Sequence, residues 1–180
     1  PERDRYSYFK FSKAVRHTSG VTAAAEGFFS RHAAIYVVHP FNDCLGCDAH
    51  VTGVLEPISR SFDSLHRRDG IVMAGTFAGD SWISATGYYA GHFVRDWIGI
   101  TAPERLCFLR YGEFHRIVDG RAVESFIFLD IPELMLSCRQ WPIAPGPGHS
   151  RGYAGLIPGP ASFDGIMSSG GDPAESDKSC

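Results

Sequence analysis

The chain has 180 residues, a formal net charge of −3 at pH 7 and 44% hydrophobic residues, which is typical of one globular domain with tails. The small negative charge gives no electrostatic reason to expect binding to nucleic acid or to an anionic membrane. No apolar run approaches the roughly 20 residues that span a bilayer, and no apolar segment follows the charged N-terminus as in a signal peptide. We therefore predict a cytoplasmic protein.

The first 40 residues predict an extension followed by a helix. Residues 1 to 19 mix charged and aromatic side chains with little periodicity, and we interpret them as an extension that packs on the domain. Thr22 is a candidate N-cap, and apolar residues up to Tyr36 follow at near-helical spacing. The chain after Tyr36 is predicted to be extended, and Pro40 ends any helix.

A loop over residues 42 to 46 leads into a second predicted helix. Asp48 is its candidate N-cap, the apolar pattern continues to Phe62, and Pro57 should kink or divide it. The same region contains a candidate zinc set, because Cys-x-x-Cys suits tetrahedral zinc. Its members are His39, Cys44, Cys47 and His50. No second pair follows at finger-like spacing, so we expect neither a metal nor another cofactor.

The middle of the chain predicts antiparallel strands. Residues 67 to 70 are interpreted as a polar break. Gly87 and Gly91 mark bulges or bends in the longer strand. The segments after the break are, in order, a strand (71–77), a turn (78–80), a longer strand (81 to about 93) and a loop (94–103).

A hairpin is predicted around Asp119 and Gly120. The dipeptide separates two runs rich in aromatic and β-branched residues, and it tolerates the positive φ angles of a type I′ turn. Strand alternation places Tyr111, Glu113 and His115 in a row on one face. Four phenylalanines fall on the other face and favour self-association there. They are Phe108, Phe114, Phe126 and Phe128.

The row on the first face is the best candidate for chemistry. Glu113 and His115 are two residues apart, so their Cβ atoms lie about 7 Å apart on the same side. A carboxylate in an apolar interior has a raised pKa and can exchange protons near neutral pH. Tyr111 is placed to donate to an enolate oxygen. The alternative is that Glu113 pairs with Arg110, Arg116 or Arg121 and that His115 and Tyr111 are core residues.

Other aromatic residues are candidates for contact with a ligand. Tyr88, Tyr89 and Trp97 either line the mouth of a pocket or pack in the core, and His39 either reaches that pocket or belongs to a loop. The hairpin is followed by Asp130-Ile-Pro-Glu, a capping-box pattern that predicts a short helix with Asp130 as N-cap. From Trp141 the composition changes to Gly, Pro and Ser, which is typical of a linker or tail.

This order of elements predicts an α+β fold with helices on one face of a curved antiparallel sheet. Such a sheet forms a cone whose mouth suits a small molecule. We assign residues 1–19 to an N-terminal extension, 20–141 to the domain and 142–180 to a tail or linker.

Several tracts resemble the SnoaL-like polyketide cyclases, which belong to the nuclear-transport-factor-two-like (NTF2-like) superfamily. The resemblance is carried by LRYGEFHR (109–116) and DGRAVE (119–124), with weaker likeness in HPFN (39–42), GCDA (46–49), YYAG (88–91) and WIGI (97–100). It covers about residues 21 to 141. It implies a cone-shaped α+β fold, a homodimer or tetramer formed through the outer sheet face, and ring closure by an aldol reaction without cofactor or metal.

This sequence departs from the family at the positions of the catalytic acid/base pair. The places of the family's acid/base pair correspond to Ser125 and Ile127 here, so we treat these two as candidate ligand-binding residues. The tail motifs PGPA (158–161) and DPAE (172–175) resemble the linker that leads into a second domain in tandem members. Pro1 at the first position also suggests that the natural chain starts earlier.

These observations predict an interior site for a hydrophobic small molecule. The expected reaction is cyclisation, isomerisation or hydrolysis of a polyketide-like carbonyl substrate, with Glu113 as base and His115 and Tyr111 as proton donors. A non-catalytic module for ligand binding or dimerisation, with the same fold, is the alternative.

Overall fold

The computed structural model describes residues 2 to 15 and 20 to 141, and the predictions for the tail lie outside this range. Its helices are α1 (Glu2–Val15), α2 (Val21–Phe28), α3 (Cys47–His50), α4 (Glu56–Ser61) and α5 (Ile131–Ser137). Its strands are β1 (Phe29–Val37), β2 (Asn42–Leu45), β3 (Phe62–Phe77), β4 (Asp80–Phe93), β5 (Arg105–Val118) and β6 (Arg121–Leu129).

The six strands form one open sheet in the order β2-β1-β6-β5-β4-β3. All neighbouring strands are antiparallel except β1 and β6, which are parallel, so the sheet is mixed rather than purely antiparallel. The predicted α+β class is confirmed. No helix in the described ranges combines the length and apolarity needed to cross a membrane.

Helix α1 is a regular element where the sequence pattern predicts only an extension. Tyr8, Phe11, Ser12 and Val15 are buried, and their spacing of three and four residues places them on one helical face. Phe11 stacks on Phe28 of α2 with ring centroids 4.9 Å apart. We call the sheet face that packs against α1 the inner face and the opposite one the outer face.

The helix predicted up to Tyr36 ends eight residues earlier, because strand β1 begins at Phe29. From Ala33 onward its residues alternate between buried and more exposed, which fits a strand and not a helix. The helix boundary also differs from the prediction, since Gly20 and not Thr22 is the N-cap of α2.

The second predicted helix is divided, as expected from Pro57. A π-helical segment, Val51–Leu55, joins α3 to α4, and Pro57 lies in the first turn of α4. Proline has no backbone N–H to donate, so the first turn of a helix tolerates it. The N-cap is Gly46 and not Asp48, and the predicted loop contains the short edge strand β2.

The predicted polar break at residues 67–70 is wrong, because β3 is continuous from Phe62 to Phe77. Arg67 and Asp69 are buried on the inner face, 2% exposed each. The register of β3 against β4 shifts between Asp69 and Ile71, opposite Gly87. A Cβ atom at Gly87 would collide with the carbonyl oxygen of Arg68, so this close approach requires glycine.

The predicted hairpin is confirmed. Asp119 and Gly120 have φ angles of 51° and 76°, as a type I′ turn requires. A register shift where β5 meets β6 pairs Ile117 with Ala122. Both Ala122 and Ser125 are consequently buried, and the alternation of buried and more exposed residues is interrupted between them, at Val123 and Glu124. After the hairpin, the carboxylate of Asp130 accepts a hydrogen bond from the backbone of Glu133 at 3.0 Å and caps α5, as predicted.

Candidate functional site

Three charged side chains meet on the inner face of the sheet, and we call them the interior charged cluster: Arg67, Asp69 and Glu113. Each is at most 3% exposed. Arg67 and Asp69 come from β3 and Glu113 from β5, and the guanidinium of Arg67 donates to both carboxylates. A buried charge is tolerated only when it is paired and hydrogen-bonded, and the arginine meets this condition for both acids.

Tyrosine hydroxyl groups complete the hydrogen bonding around this cluster. Arg67 donates to the hydroxyl of Tyr89 at 2.9 Å, and the hydroxyl of Tyr111 donates to Asp69. The guanidinium carbon of Arg67 also lies 4.1 Å from the ring centre of Tyr111, a cation–π arrangement. The sheet therefore holds Arg67 between aromatic rings and carboxylates.

Helix α1 closes the cluster from the other side. The hydroxyl of Tyr8 donates to Glu113 at 2.8 Å and accepts from Arg67 at 2.7 Å. Ser12, one turn later, donates to Asp69. Tyr8 and Ser12 are completely buried. The interior predicted to be a hollow cone is therefore occupied at this point by side chains of α1.

His115 lies beside Glu113, as predicted from their spacing. Its Nδ1 atom is 2.9 Å from the hydroxyl of Ser125 on β6. Its Nε2 atom lies 3.4 Å from Glu113 Oε1 but makes no hydrogen bond in the described structure. A buried imidazole nitrogen without a hydrogen bond is rare in native proteins, and here it faces the carboxylate.

The pKa of Glu113 is lowered and not raised, contrary to the expectation from an apolar interior. Burial raises the pKa of this carboxyl, but the charges of Arg67 and His115 and the hydrogen bond from Arg67 outweigh burial. Glu113 is therefore a stable anion and a weak base. Burial raises the pKa of Tyr8 and of Tyr111 well above the usual value, although the charge of Arg67 opposes this change. Both tyrosines are therefore protonated.

A second histidine, His50, contributes to the interior from α3. It is 1% exposed, its ring packs edge-on against Phe29 at 5.3 Å, and its Nδ1 atom has no hydrogen-bond partner in the described structure. Burial lowers its pKa to about 4, with Glu113 opposing the change and His115 and Arg67 adding to it. His50 is thus neutral at physiological pH.

The predicted ligand-binding residues do not lie together. Tyr89, Ser125 and Ile127 are buried on the inner face. Tyr88 faces the outer side, where its ring packs edge-on against Phe108 at 5.7 Å, and His39 is exposed after β1. Adjacent residues of one strand point to opposite faces, so Tyr88 and Tyr89 cannot line one pocket.

Trp97 is buried in the loop before β5. Its ring stacks on Phe41 with centroids 5.8 Å apart, and its indole N–H has no partner in the described structure.

The candidate zinc residues do not form a site: within the described ranges, no group of three or more potential ligands could hold a metal ion. Burial raises the pKa of Cys47 to about 11, so this thiol is protonated.

The partners of Glu113 lie in segments predicted to be neither a strand nor a helix. Arg67 and Asp69 lie in the segment interpreted as a break, and Tyr8 and Ser12 lie in the supposed extension. Two signals were present in the sequence. Leu65, Arg67 and Asp69 alternate with other residues as in a strand, and the residues on the buried face of α1 have helical spacing.

The outer face of the sheet bears an apolar groove of about 520 Å³. We call its large side chains the outer apolar patch: Met73, Phe77, Trp82, Phe114 and Phe126. Phe77 and Phe114 are 64% and 47% exposed. Two of the phenylalanines predicted for self-association, Phe114 and Phe126, line the groove, whereas Phe128 is exposed outside it and Phe108 packs against Tyr88.

Comparison with solved structures identifies the fold. A "putative SnoaL-like polyketide cyclase" from Jannaschia sp. CCS1 matches 79% of this chain and 94% of its own, with a TM-score of 0.65 and 12% sequence identity. AclR, a "putative hydroxylase" from Streptomyces galilaeus, matches 80% of this chain and 89% of its own (TM-score 0.63, 18% identity). IdmH, a "putative polyketide cyclase" from Streptomyces antibioticus, matches 73% and 95% (TM-score 0.60, 15% identity).

Searches with family models and among curated proteins find no match. At identities this low, the structural neighbours establish the fold and not the activity. The resemblance read from the sequence is confirmed at that level: the chain shares its fold with proteins described as a SnoaL-like polyketide cyclase, a polyketide cyclase and an NTF2-like protein.

Proposed function

We propose that this NTF2-like domain is a small-molecule enzyme that carries out acid/base chemistry, without a cofactor, on a hydrophobic carbonyl compound. The observation that carries the proposal is the buried Nε2 atom of His115, which lacks a hydrogen bond and lies 3.4 Å from Glu113. An imidazole beside a fixed carboxylate can accept a proton from a substrate and return it. The structural neighbours described as polyketide cyclases are compatible with such chemistry.

The charges favour His115 over Glu113 for the proton-transferring role. Because the pKa of Glu113 is lowered, this side chain is a poor base, but its negative charge stabilises the imidazolium that forms when His115 takes a proton. Ser125 holds the Nδ1 side of the ring at 2.9 Å. We propose that the Tyr111 hydroxyl, which donates to Asp69 in this structure, exchanges that hydrogen bond for one to a developing enolate.

Exchange of α-protons tests this proposal without knowledge of the natural substrate. 2-Tetralone, a bicyclic ketone, is incubated with the protein in D₂O, and loss of its α-proton signals is followed by NMR. We expect the protein to accelerate exchange and the substitution His115→Gln to slow it roughly 100-fold, since positioned acid/base groups contribute about 10²–10⁴ in rate. His32→Gln, at an exposed position on β1, is the matched control. Equal rates for wild type and His115→Gln would refute the assigned role.

A second function is favoured by the outer apolar patch. Exposed aromatic side chains in contiguous patches are typical of interaction surfaces, and Phe77 and Phe114 of this patch are 64% and 47% exposed. We propose that the domain self-associates through this face. An inactive protein that nevertheless dimerises through the patch would indicate an assembly module and not an enzyme.

A further inference from the structure

We infer that the interior charged cluster is a recognition site for a phenolic hydroxyl group on an aromatic ring, and that Tyr8 of α1 is the occupant of this site in the present structure. The inference rests on the proposed function in that it concerns the same interior site. It adds the chemical class of ligand and identifies α1 as the element that competes with that ligand.

The hydroxyl of Tyr8 makes the contacts that a bound phenol would make. It donates to Glu113 at 2.8 Å and accepts from Arg67 at 2.7 Å, with Asp69 Oδ1 3.3 Å away. One donor and one acceptor, both charged, thus face a single hydroxyl. Hydrogen bonds to charged groups are about twice as strong as those between neutral groups, so the pair discriminates a hydroxyl from an apolar substituent.

The ring of Tyr8 is enclosed as a planar ligand would be. Phe28 and Phe11 pack edge-on against it at centroid distances of 5.8 and 6.3 Å, and the ring of His115 lies 5.9 Å away. The side chain is 0% exposed. The His115 ring therefore lies next to the aromatic ring that the site holds, where a group acting on a bound ligand would have to be.

The groups that would receive the phenol are held together by the sheet, apart from the hydrogen bond that Ser12 of α1 donates to Asp69. Arg67 is bound to Asp69, Glu113 and Tyr89, and Tyr111 is bound to Asp69, through contacts within and between β3, β4 and β5. Withdrawal of Tyr8 removes one hydroxyl from Arg67 and Glu113 but leaves these bonds in place. The site is consequently preformed, which lowers the free-energy cost of binding.

Removal of the tyrosine side chain tests the inference directly. In Tyr8→Ala, p-cresol, which has the shape of the deleted side chain, should bind with a Kd roughly tenfold or more below that of toluene, because toluene lacks the hydroxyl. Titration calorimetry and the shift of Tm report the binding. Phe11→Ala is the matched control, since Phe11 is equally buried on the same helix without a hydroxyl. There we expect toluene to bind at least as tightly as p-cresol.

Equal affinities of p-cresol and toluene in Tyr8→Ala would overturn the inference. If the variant does not fold alone, folding that is restored by p-cresol and not by toluene supports it. If neither compound restores folding, hydrogen exchange on the wild-type protein decides. Saturating p-cresol should then accelerate amide exchange in α1 and leave β5 unchanged, and unchanged exchange in α1 would overturn the inference. Tyr8→Ala could prefer p-cresol over toluene while the wild-type protein fails to accelerate α-proton exchange of 2-tetralone. That result would refute only the proposed chemistry and would leave the inferred binding site standing.

Discussion

The two faces of the sheet each depart from the usual distribution of polarity, in opposite directions. On the inner face, Arg67, Asp69 and Glu113 are no more than 3% exposed. On the outer face, Phe77 and Phe114 are 64% and 47% exposed. Charged groups are rarely buried unless they are paired, and large exposed apolar patches mark interaction sites. This contrast supports the roles proposed for the two faces, which are chemistry for the inner face and association for the outer face.

The largest loss of stability is expected when Arg67, the only cation of the interior charged cluster, is replaced. Arg67→Met leaves the carboxylates of Asp69 and Glu113 buried without their main partner, which should cost about 3–5 kcal/mol of unfolding free energy. Urea titration measures the loss. Arg68→Met, at an exposed position on the same strand, should cost no more than about 1 kcal/mol. Similar losses in both variants would contradict the role of the cluster.

The buried His50 should make the stability of the inner face depend on pH. Its pKa is lowered from 6.5 to about 4 in the folded protein, so the unfolded chain binds the proton more readily between these values. Its contribution is complete above pH 6.5 and is lost as the pH falls towards 4, by roughly 3 kcal/mol.

Urea unfolding at pH 6.5, 5.5 and 4.5 measures this dependence. His50→Gln should flatten the curve of unfolding free energy against pH, because glutamine does not titrate. The exposed His32 provides the control, and His32→Gln should retain the wild-type slope. An unchanged slope in His50→Gln would show that other groups cause the pH dependence.

The close approach of two strand backbones at Gly87 predicts a loss of stability of intermediate size. A Cβ atom at Gly87 would collide with the Arg68 carbonyl oxygen and lie 2.7 Å from the Tyr111 hydroxyl. Gly87→Ala should therefore cost about 1–3 kcal/mol in thermal or urea unfolding. At Gly75, beside the outer groove, an added methyl group would meet no atom within 4 Å, and Gly75→Ala should change stability by about 0.5 kcal/mol or less. Equal losses of stability in Gly87→Ala and Gly75→Ala would contradict the predicted difference between the inner and the outer face.

The smallest effect on the folded monomer is expected on the outer face. Phe114→Glu places a charge in the outer apolar patch, where water already reaches the side chain, so unfolding free energy should change by about 1 kcal/mol or less. Self-association, followed by sedimentation velocity over a range of concentrations, should weaken at least roughly tenfold. Val118→Glu, exposed on the same strand outside the patch, is the control. Association that survives Phe114→Glu would exclude this face as the interface.

Local sequence patterns were sufficient to predict the hairpin and the row of candidate residues on its inner face. The Asp119-Gly120 pair has the expected positive φ angles, and Tyr111, Glu113 and His115 are buried together on one face, because a turn and a two-residue period are properties of the chain itself. The same holds for Asp130, whose capping role needs only its near neighbours.

The composition of the candidate site was decided by tertiary structure. Glu113 meets Arg67 and Tyr8, which are 46 and 105 residues away in the chain, and local patterns do not report such pairings. The sequence determined which face of β5 points inward. Only the fold decided that an arginine and a tyrosine would meet the carboxylate there, and their charge and hydrogen bonds turned an expected base into a stable anion.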